Sequence, residues 1–213
     1  MQLEKNPKTR NLYRRLLRLG DRVTGASFPK MKRVKQITVF HCGPAVIEAL
    51  FSFLGVRVSQ TGVVKSLRAF KKIKRIGLSV KDLARATHAL GHGKYVFWKK
   101  ANSKISDIET IITKYKFPVV VEWQGVFYEF EDEDNGHYCI VTKVDREGGF
   151  LRLSDPFHAF SGIDRKLGIK FFTQRWWDTN LVKGRILKDR RMLFVVVPQG
   201  QNWPKKLGMV KAN

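Results

Sequence analysis

A carboxamide, a thiol, an imidazole and a carboxylate follow one another along this chain in an order that suits acyl chemistry. Gln36 lies six positions before Cys42, and Cys42 opens the tetrapeptide Cys42-Gly43-Pro44-Ala45. An apolar run follows, Val46, Ile47, Ala49, Leu50, Phe51, Phe53 and Leu54, closed by Gly55. The pattern predicts a buried helix with the cysteine on its first turn. Proline is tolerated where the backbone N–H has no helical partner, and glycine is a common stop. The unpaired N–H groups and the positive end of the dipole at such a terminus favour the thiolate, which is the nucleophilic form. A lone cysteine in this place is equally a small residue packing a helix, so its role depends on partners elsewhere in the chain.

A nucleophilic thiol needs a base that takes its proton and later protonates the leaving group. Of the five histidines, His137 is distinguished by its context: Gly136 precedes it and a strand, Tyr138-Cys139-Ile140-Val141, follows. Asp155, in Ser154-Asp155-Pro156, ends the other arm of a hairpin whose loop is Asp145-Arg146-Glu147-Gly148-Gly149. Counting back across that loop places the carboxylate level with the imidazole, where it can orient the ring. Pro156 stops the strand at that point. Cys139 has the parity of His137 and is expected beneath the ring, buried rather than catalytic.

The elements that must hold these groups change character along the chain. Ser59 caps a helix through Val63, Val64, Leu67 and Phe70, Ser79 with Asp82 forms a capping box for a helix to Leu90, and Ser106 with Glu109 repeats that signature for a helix to Tyr115. From Pro118 the pattern turns to strands: 118–123, 138–144, 150–153 and 192–197. Helices followed by an antiparallel sheet indicate an α+β fold.

In combination, Gln36-x5-Cys42-Gly43-Pro44-Ala45, Gly136-His137-Tyr138 and Ser154-Asp155-Pro156 resemble the papain-like cysteine peptidases, most of all the bacteriocin-leader (double-glycine) peptidases and their stand-alone relatives. The resemblance spans roughly 34–160. It implies Cys42 as nucleophile, His137 as general base and acid, and Asp155 as the orienting acceptor. Gln36 would lend its side-chain N–H, with the Cys42 backbone N–H, to the oxyanion. It implies hydrolysis of a peptide or amide bond without a cofactor; transfer of the acyl group to an amine would use the same machinery. His41 stands where the leader peptidases usually carry an acidic residue, and no transporter domain or ATPase follows in this sequence, so processing coupled to export is not implied.

Composition bounds the rest. Forty-one Lys and Arg against eighteen Asp and Glu leave a net charge of +23, which favours anionic partners such as nucleic acid or an acidic surface. A catalytically inactive papain-like scaffold that binds such a partner is therefore the rival reading. Two cysteines make no disulfide framework. His88 and His92 have ligand spacing but Gly91 between them, so no metal is expected. No run approaches the ~18 apolar residues of a membrane helix, and the expectation is a soluble, cytoplasmic protein. The acidic stretch Glu129, Glu131, Asp132, Glu133 and Asp134 reads as a solvated loop, a lid that selects basic residues, or a weak Ca²⁺ site. Three parts are expected: a basic arm over 1–30 with one amphipathic helix, a peptidase-like domain over 31–198, and a basic tail over 199–213.

Overall fold

The computed structural model describes residues 27–125, 136–182 and 185–212. The expected helix of the N-terminal arm and the acidic stretch 129–134 lie outside the described residues. The first helix, α1 (Cys42–Phe53), starts at the cysteine and buries nine of its residues, from Cys42 to Phe51. Next come α2 (Gln60–Ser66), α3 (Phe70–Ile76) and α4 (Val80–Gly91). Ser59 caps α2 by accepting from the Gly62 N–H. Ser79 and Asp82 form the expected reciprocal box at the head of α4.

Sequence and structure part at three helix ends. The helix expected from Ser59 through Phe70 stops at Ser66, and Phe70 instead opens α3. Helix α4 runs through Gly91 and stops at His92, which takes the left-handed conformation at φ 46°. The next helix, α5 (Ile105–Thr110), is not capped by Ser106. Its first turn is closed by the Lys104 N–H donating to Asp107 Oδ2 at 2.8 Å, and it continues as a π-helical turn over Ile111–Tyr115. Any side chain can precede a helix when the acid at the third helical position answers the backbone, so Lys104 gives no sequence signal.

Seven strands form one antiparallel sheet in the order β5-β4-β3-β2-β8-β1-β9. They are β1 (Tyr95–Lys100), β2 (Val119–Gln124), β3 (Gly136–Asp145), β4 (Phe150–Ser154), β5 (Asp164–Gly168), β8 (Leu193–Pro198) and β9 (Val210–Lys211). A separate pair joins β6 (Trp177–Val182) to β7 (Arg185–Arg190). Alternation along the central strands divides the interior in two. Val120, Tyr138, Ile140, Phe194 and Val196 pack with α1 to α4. Val121, Trp123, Cys139, Val141 and Val195 pack on the other face with Ile108, Ile111, Phe172 and Trp176. Phe172 belongs to α6 (Ile169–Arg175).

The stretch after Pro198, set apart in sequence as a tail, carries a short helix, α7 (Trp203–Lys206), and the edge strand β9. Trp203 is buried, stacks on Tyr115 with centroids 4.4 Å apart and meets Phe117. Trp203→Ala is expected to cost about 3–5 kcal/mol, the usual range for emptying a buried tryptophan site. Denaturant unfolding measures it; a change within ~0.5 kcal/mol would mean that this segment is dispensable surface.

Candidate active site

The segment before α1 is pinned from two sides. Gln60, at the head of α2, accepts the Ile37 N–H at 2.9 Å and donates Nε2 to the Lys35 carbonyl at 2.9 Å, gripping the main chain on either side of Gln36. The Gln36 N–H donates to the Pro156 carbonyl at 2.8 Å, which ties this segment to the strand end beside Asp155. The Gln36 side chain is buried and gives one Nε2 hydrogen to the Thr38 carbonyl at 2.9 Å. That contact fixes which end of the carboxamide is nitrogen.

A turn then leads into α1. The His41 N–H donates to the Thr38 carbonyl, and His41 Nδ1 lies 2.6 Å from Thr38 Oγ1. Burial holds the His41 imidazole below its ordinary pKa. Because the ring is turned back to Thr38, His41 makes no side-chain cap on α1. The first-turn N–H groups of a helix have no intrahelical acceptor, and here no side-chain cap takes them. Cys42, 9% exposed, is the first residue of that turn. The glycine after it has a steric reason: a Cβ at Gly43 would lie 3.0 Å from Leu83 Cδ2 and 3.5 Å from the Tyr138 ring.

On the sheet, His137 and Asp155 are brought together. His137 Nε2 donates to Asp155 Oδ1 at 2.8 Å, with both residues 2% exposed. The contact is diagonal rather than directly across: the ladder pairs Ile140 with Ser154, which sets Asp155 opposite Cys139 and two positions from His137. The sequence count places the two residues level; the observed register leaves an offset of two positions, which the bulge between Val141 and Lys143 narrows by one. Asp155 Oδ1 also accepts the Phe157 N–H at 2.9 Å, and Oδ2 faces Arg165 Nη2 at 2.8 Å. Burial alone would raise the Asp155 pKa, but Arg165, His137 and the Phe157 N–H hold it far below the ordinary carboxylate range. Burial alone would likewise lower His137, yet its pKa is raised well above the usual value by Cys139 and Asp155. Since burial keeps Cys139 as the neutral thiol, the Asp155 carboxylate is the charge that raises it.

Cys139 lies under the ring, fully buried, and accepts the Trp123 indole N–H at 3.3 Å. Donor atoms of His137, Cys139 and Asp155 all fall within 4.8 Å of one another, the kind of set that could hold a metal ion. Here the guanidinium of Arg165 already occupies the cationic position beside Asp155, and the Trp123 N–H points at the sulfur. A metal would have to displace both. Cys42 and Cys139 are free thiols that belong to opposite cores of the sheet.

Three residues of this neighbourhood carry no readable sequence signal: Gln60, Arg165 and Asp178. Asp178 of β6 is buried and accepts from Gln124 Nε2 at 2.9 Å. Its carboxylate lies over Gly136, where a Cβ would come within 2.6 Å of Oδ1. This explains the glycine before His137 by close approach. On the α1 side of the same strand, the Tyr138 hydroxyl donates to Glu122 Oε1 at 2.7 Å. Burial and that neighbouring carboxylate keep Tyr138 a neutral phenol.

A helix that begins at a cysteine, set against an antiparallel sheet that carries a paired histidine and aspartate, is the architecture of a papain-like α+β peptidase domain. The Peptidase_C39 like family matches residues 28–182, and the chain belongs to that family. Two solved structures share the fold. One is the peptidase domain of Streptococcus ComA, a bifunctional ABC transporter involved in a quorum-sensing pathway, at 17% identity and a TM-score of 0.52 over 78% of this chain and 97% of that one. The other is a double-glycine-motif protease from an AMS/PCAT transporter in complex with its leader peptide, at 13% identity and a TM-score of 0.51 over 83% of this chain and 96% of that one. No curated protein matches the sequence. Among the described residues no helix is long and apolar enough to cross a membrane.

Gly136→Ala is expected to destabilise the fold by about 1–3 kcal/mol, as an added methyl group in a packed site does, because Asp178 is held by Gln124 and cannot swing away. Thermal unfolding of the variant tests this, and an unchanged midpoint would refute the steric account. The His137–Asp155 pair also makes stability depend on pH. The lowered Asp155 contributes fully above about 3.9 and is lost as pH falls; the raised His137 contributes fully below about 6.5 and is lost as pH rises through its folded value. The stability advantage of the native chain over His137→Gln should therefore peak between about pH 4 and 6.5 and shrink above that window in urea titrations.

Proposed function

We propose that the protein is a cysteine peptidase in which Cys42 attacks the carbonyl carbon of a peptide bond. The observation that carries this reading is the His137–Asp155 hydrogen bond at 2.8 Å, in a chain of the Peptidase_C39 like family whose α1 starts at a cysteine. Asp155 takes the Nε2 edge of the ring, so Nδ1 is the atom that would share a proton with the thiol. The thiolate adds to the carbonyl. The second Nε2 hydrogen of Gln36 and the backbone N–H of Cys42 stabilise the oxyanion, and the imidazolium then protonates the departing amine. Water, deprotonated by the same imidazole, releases the acid and restores the thiol. Asp155 remains ionised throughout and keeps the ring in the productive tautomer.

A peptide substrate is supported by the similar protease solved with a leader peptide bound. A peptide has to reach a thiol that is only 9% exposed, and exposed Ile37, Val39 and Phe40 immediately precede it.

Iodoacetamide followed by peptide mapping tests the nucleophile. Cys42 should be alkylated at neutral pH far faster than buried Cys139, and His137→Ala should slow it sharply. Equal rates with and without the imidazole would sink the proposal. Against a peptide that the native chain cleaves, Gln36→Ala should lower kcat by about 10²–10³, the usual loss for one oxyanion donor.

A further inference from the structure

We propose that Arg165 is a positioning residue that fixes the carboxylate of Asp155, and through it the ring of His137, for the thiol chemistry of Cys42. The inference rests on the peptidase reading and adds to it a fourth buried member, contributed by the neighbouring strand.

Arg165 lies on β5, directly paired with Leu153 of β4, two positions before Asp155. It is 2% exposed, which is rare for an arginine. Its ring neighbours are apolar: Phe160 lies 4.1 Å and Trp123 5.2 Å from the guanidinium carbon. Nη2 lies 2.8 Å from Asp155 Oδ2 as an ion pair, without the angles of a hydrogen bond, and Nε and Nη1 meet no hydrogen-bond acceptor among the described residues. Asp155 is thus the anchor of this buried cation, and two aromatic faces hold the plane of the fork.

The partition of the carboxylate gives the geometry its consequence. Oδ1 serves the reaction side, facing His137 Nε2, and the Phe157 N–H shares it. Oδ2 serves Arg165. A carboxylate hydrogen-bonded at one oxygen can swing; a buried cation 2.8 Å from the other oxygen opposes that swing by charge and contact. A buried ion pair is a weak source of net stability, because desolvation offsets most of the attraction. What Arg165 supplies distinctively is therefore charge and aim. Its action on His137 passes through Asp155 alone, since both cations would otherwise repel. The groups that face Asp155 are His137 and Cys139 from β3, Arg165 from β5 and the Phe157 N–H from its own segment.

The test reads Asp155 itself before it reads chemistry. In the native chain the ¹³C side-chain resonance of Asp155 should show no titration down to about pH 3. An inflection near the ordinary value would overturn the proposal without any variant. Arg165→Met should move the inflection up by about 1–3 units, the span an adjacent arginine imposes, whereas Arg165→Lys should leave it low. Alkylation of Cys42 by iodoacetamide should slow roughly tenfold in Arg165→Met and recover most of its rate in Arg165→Lys. In an Asp155→Asn background Arg165→Met should bring no further slowing and should raise the melting temperature, because it removes a stranded cation. An equal additional slowing there would mean that Arg165 acts as packing, and the proposal fails. If Cys42 proves unreactive in every variant, the peptidase reading fails, and the Asp155 resonance and the melting comparison still decide whether Arg165 fixes the carboxylate.

Discussion

A carboxylate as deeply buried as that of Asp155 has to be compensated where it stands, since an unpaired ion in a protein interior costs several kcal/mol even after relaxation. The surroundings of Asp155 can be understood as answers to that requirement. One oxygen takes the His137 ring and a backbone N–H, the other faces Arg165. Each answer places a demand on a different element. Strand β3 must bring the imidazole to the end of β4, the chain after Pro156 must turn so that the Phe157 N–H points back, and β5 must send a long cationic side chain inward. Three strands are thereby fixed relative to one charge.

Strand β5 carries the constraint further. Asp164, of opposite parity to Arg165, pairs with Arg33 through both carboxylate oxygens at 2.8 and 3.0 Å and accepts the Thr142 hydroxyl. Arg33 also donates to the carbonyls of Ser27, Phe28 and Met31. The segment that carries Gln36 is thus tied to the same strand that steadies Asp155, and Gln36 itself is bonded to Pro156. The proposed oxyanion donor and the proposed orienting acid are both held from β4 and β5, so they keep a common frame even though 119 positions separate them.

Much of this was legible in the chain because the relevant signals are local. A cysteine before Gly-Pro-Ala and an apolar run marks the head of α1; a histidine after glycine at a strand entrance marks its place on β3; a hairpin count joins that strand to Asp155. The count missed a register offset of two positions, which a backbone ladder reveals and a residue pattern does not. Arg165 stayed invisible because it is one of 41 basic residues, and in so cationic a chain a buried arginine looks like a solvated one. Gln60 and Asp178 stayed invisible for a related reason. Each acts on the main chain or on a glycine far away in sequence, and nothing next to either residue records that contact. Trp203 was hidden by its basic neighbours, although a large aromatic after a turn should weigh more than the charge around it.

The parity of β3 sets one more limit on how the site can work. Consecutive side chains of a strand leave opposite faces, and Tyr138 takes the face that packs on α1, against Gly43. His137 takes the other, with Cys139 and Asp155. Cys42 and the His137 side chain thus belong to opposite faces of the sheet, so the proposed chemistry would need them to meet at the end of β3 rather than across its middle. That end is crowded by Asp178 and lacks a side chain for this reason. The His137 ring is buried and hydrogen-bonded to Asp155, so that bond bears on its direction. On the proposed reading, the burial of Asp155, its charged neighbour Arg165 and the glycine before His137 bear on one problem, the direction of the imidazole at the end of the strand that carries it.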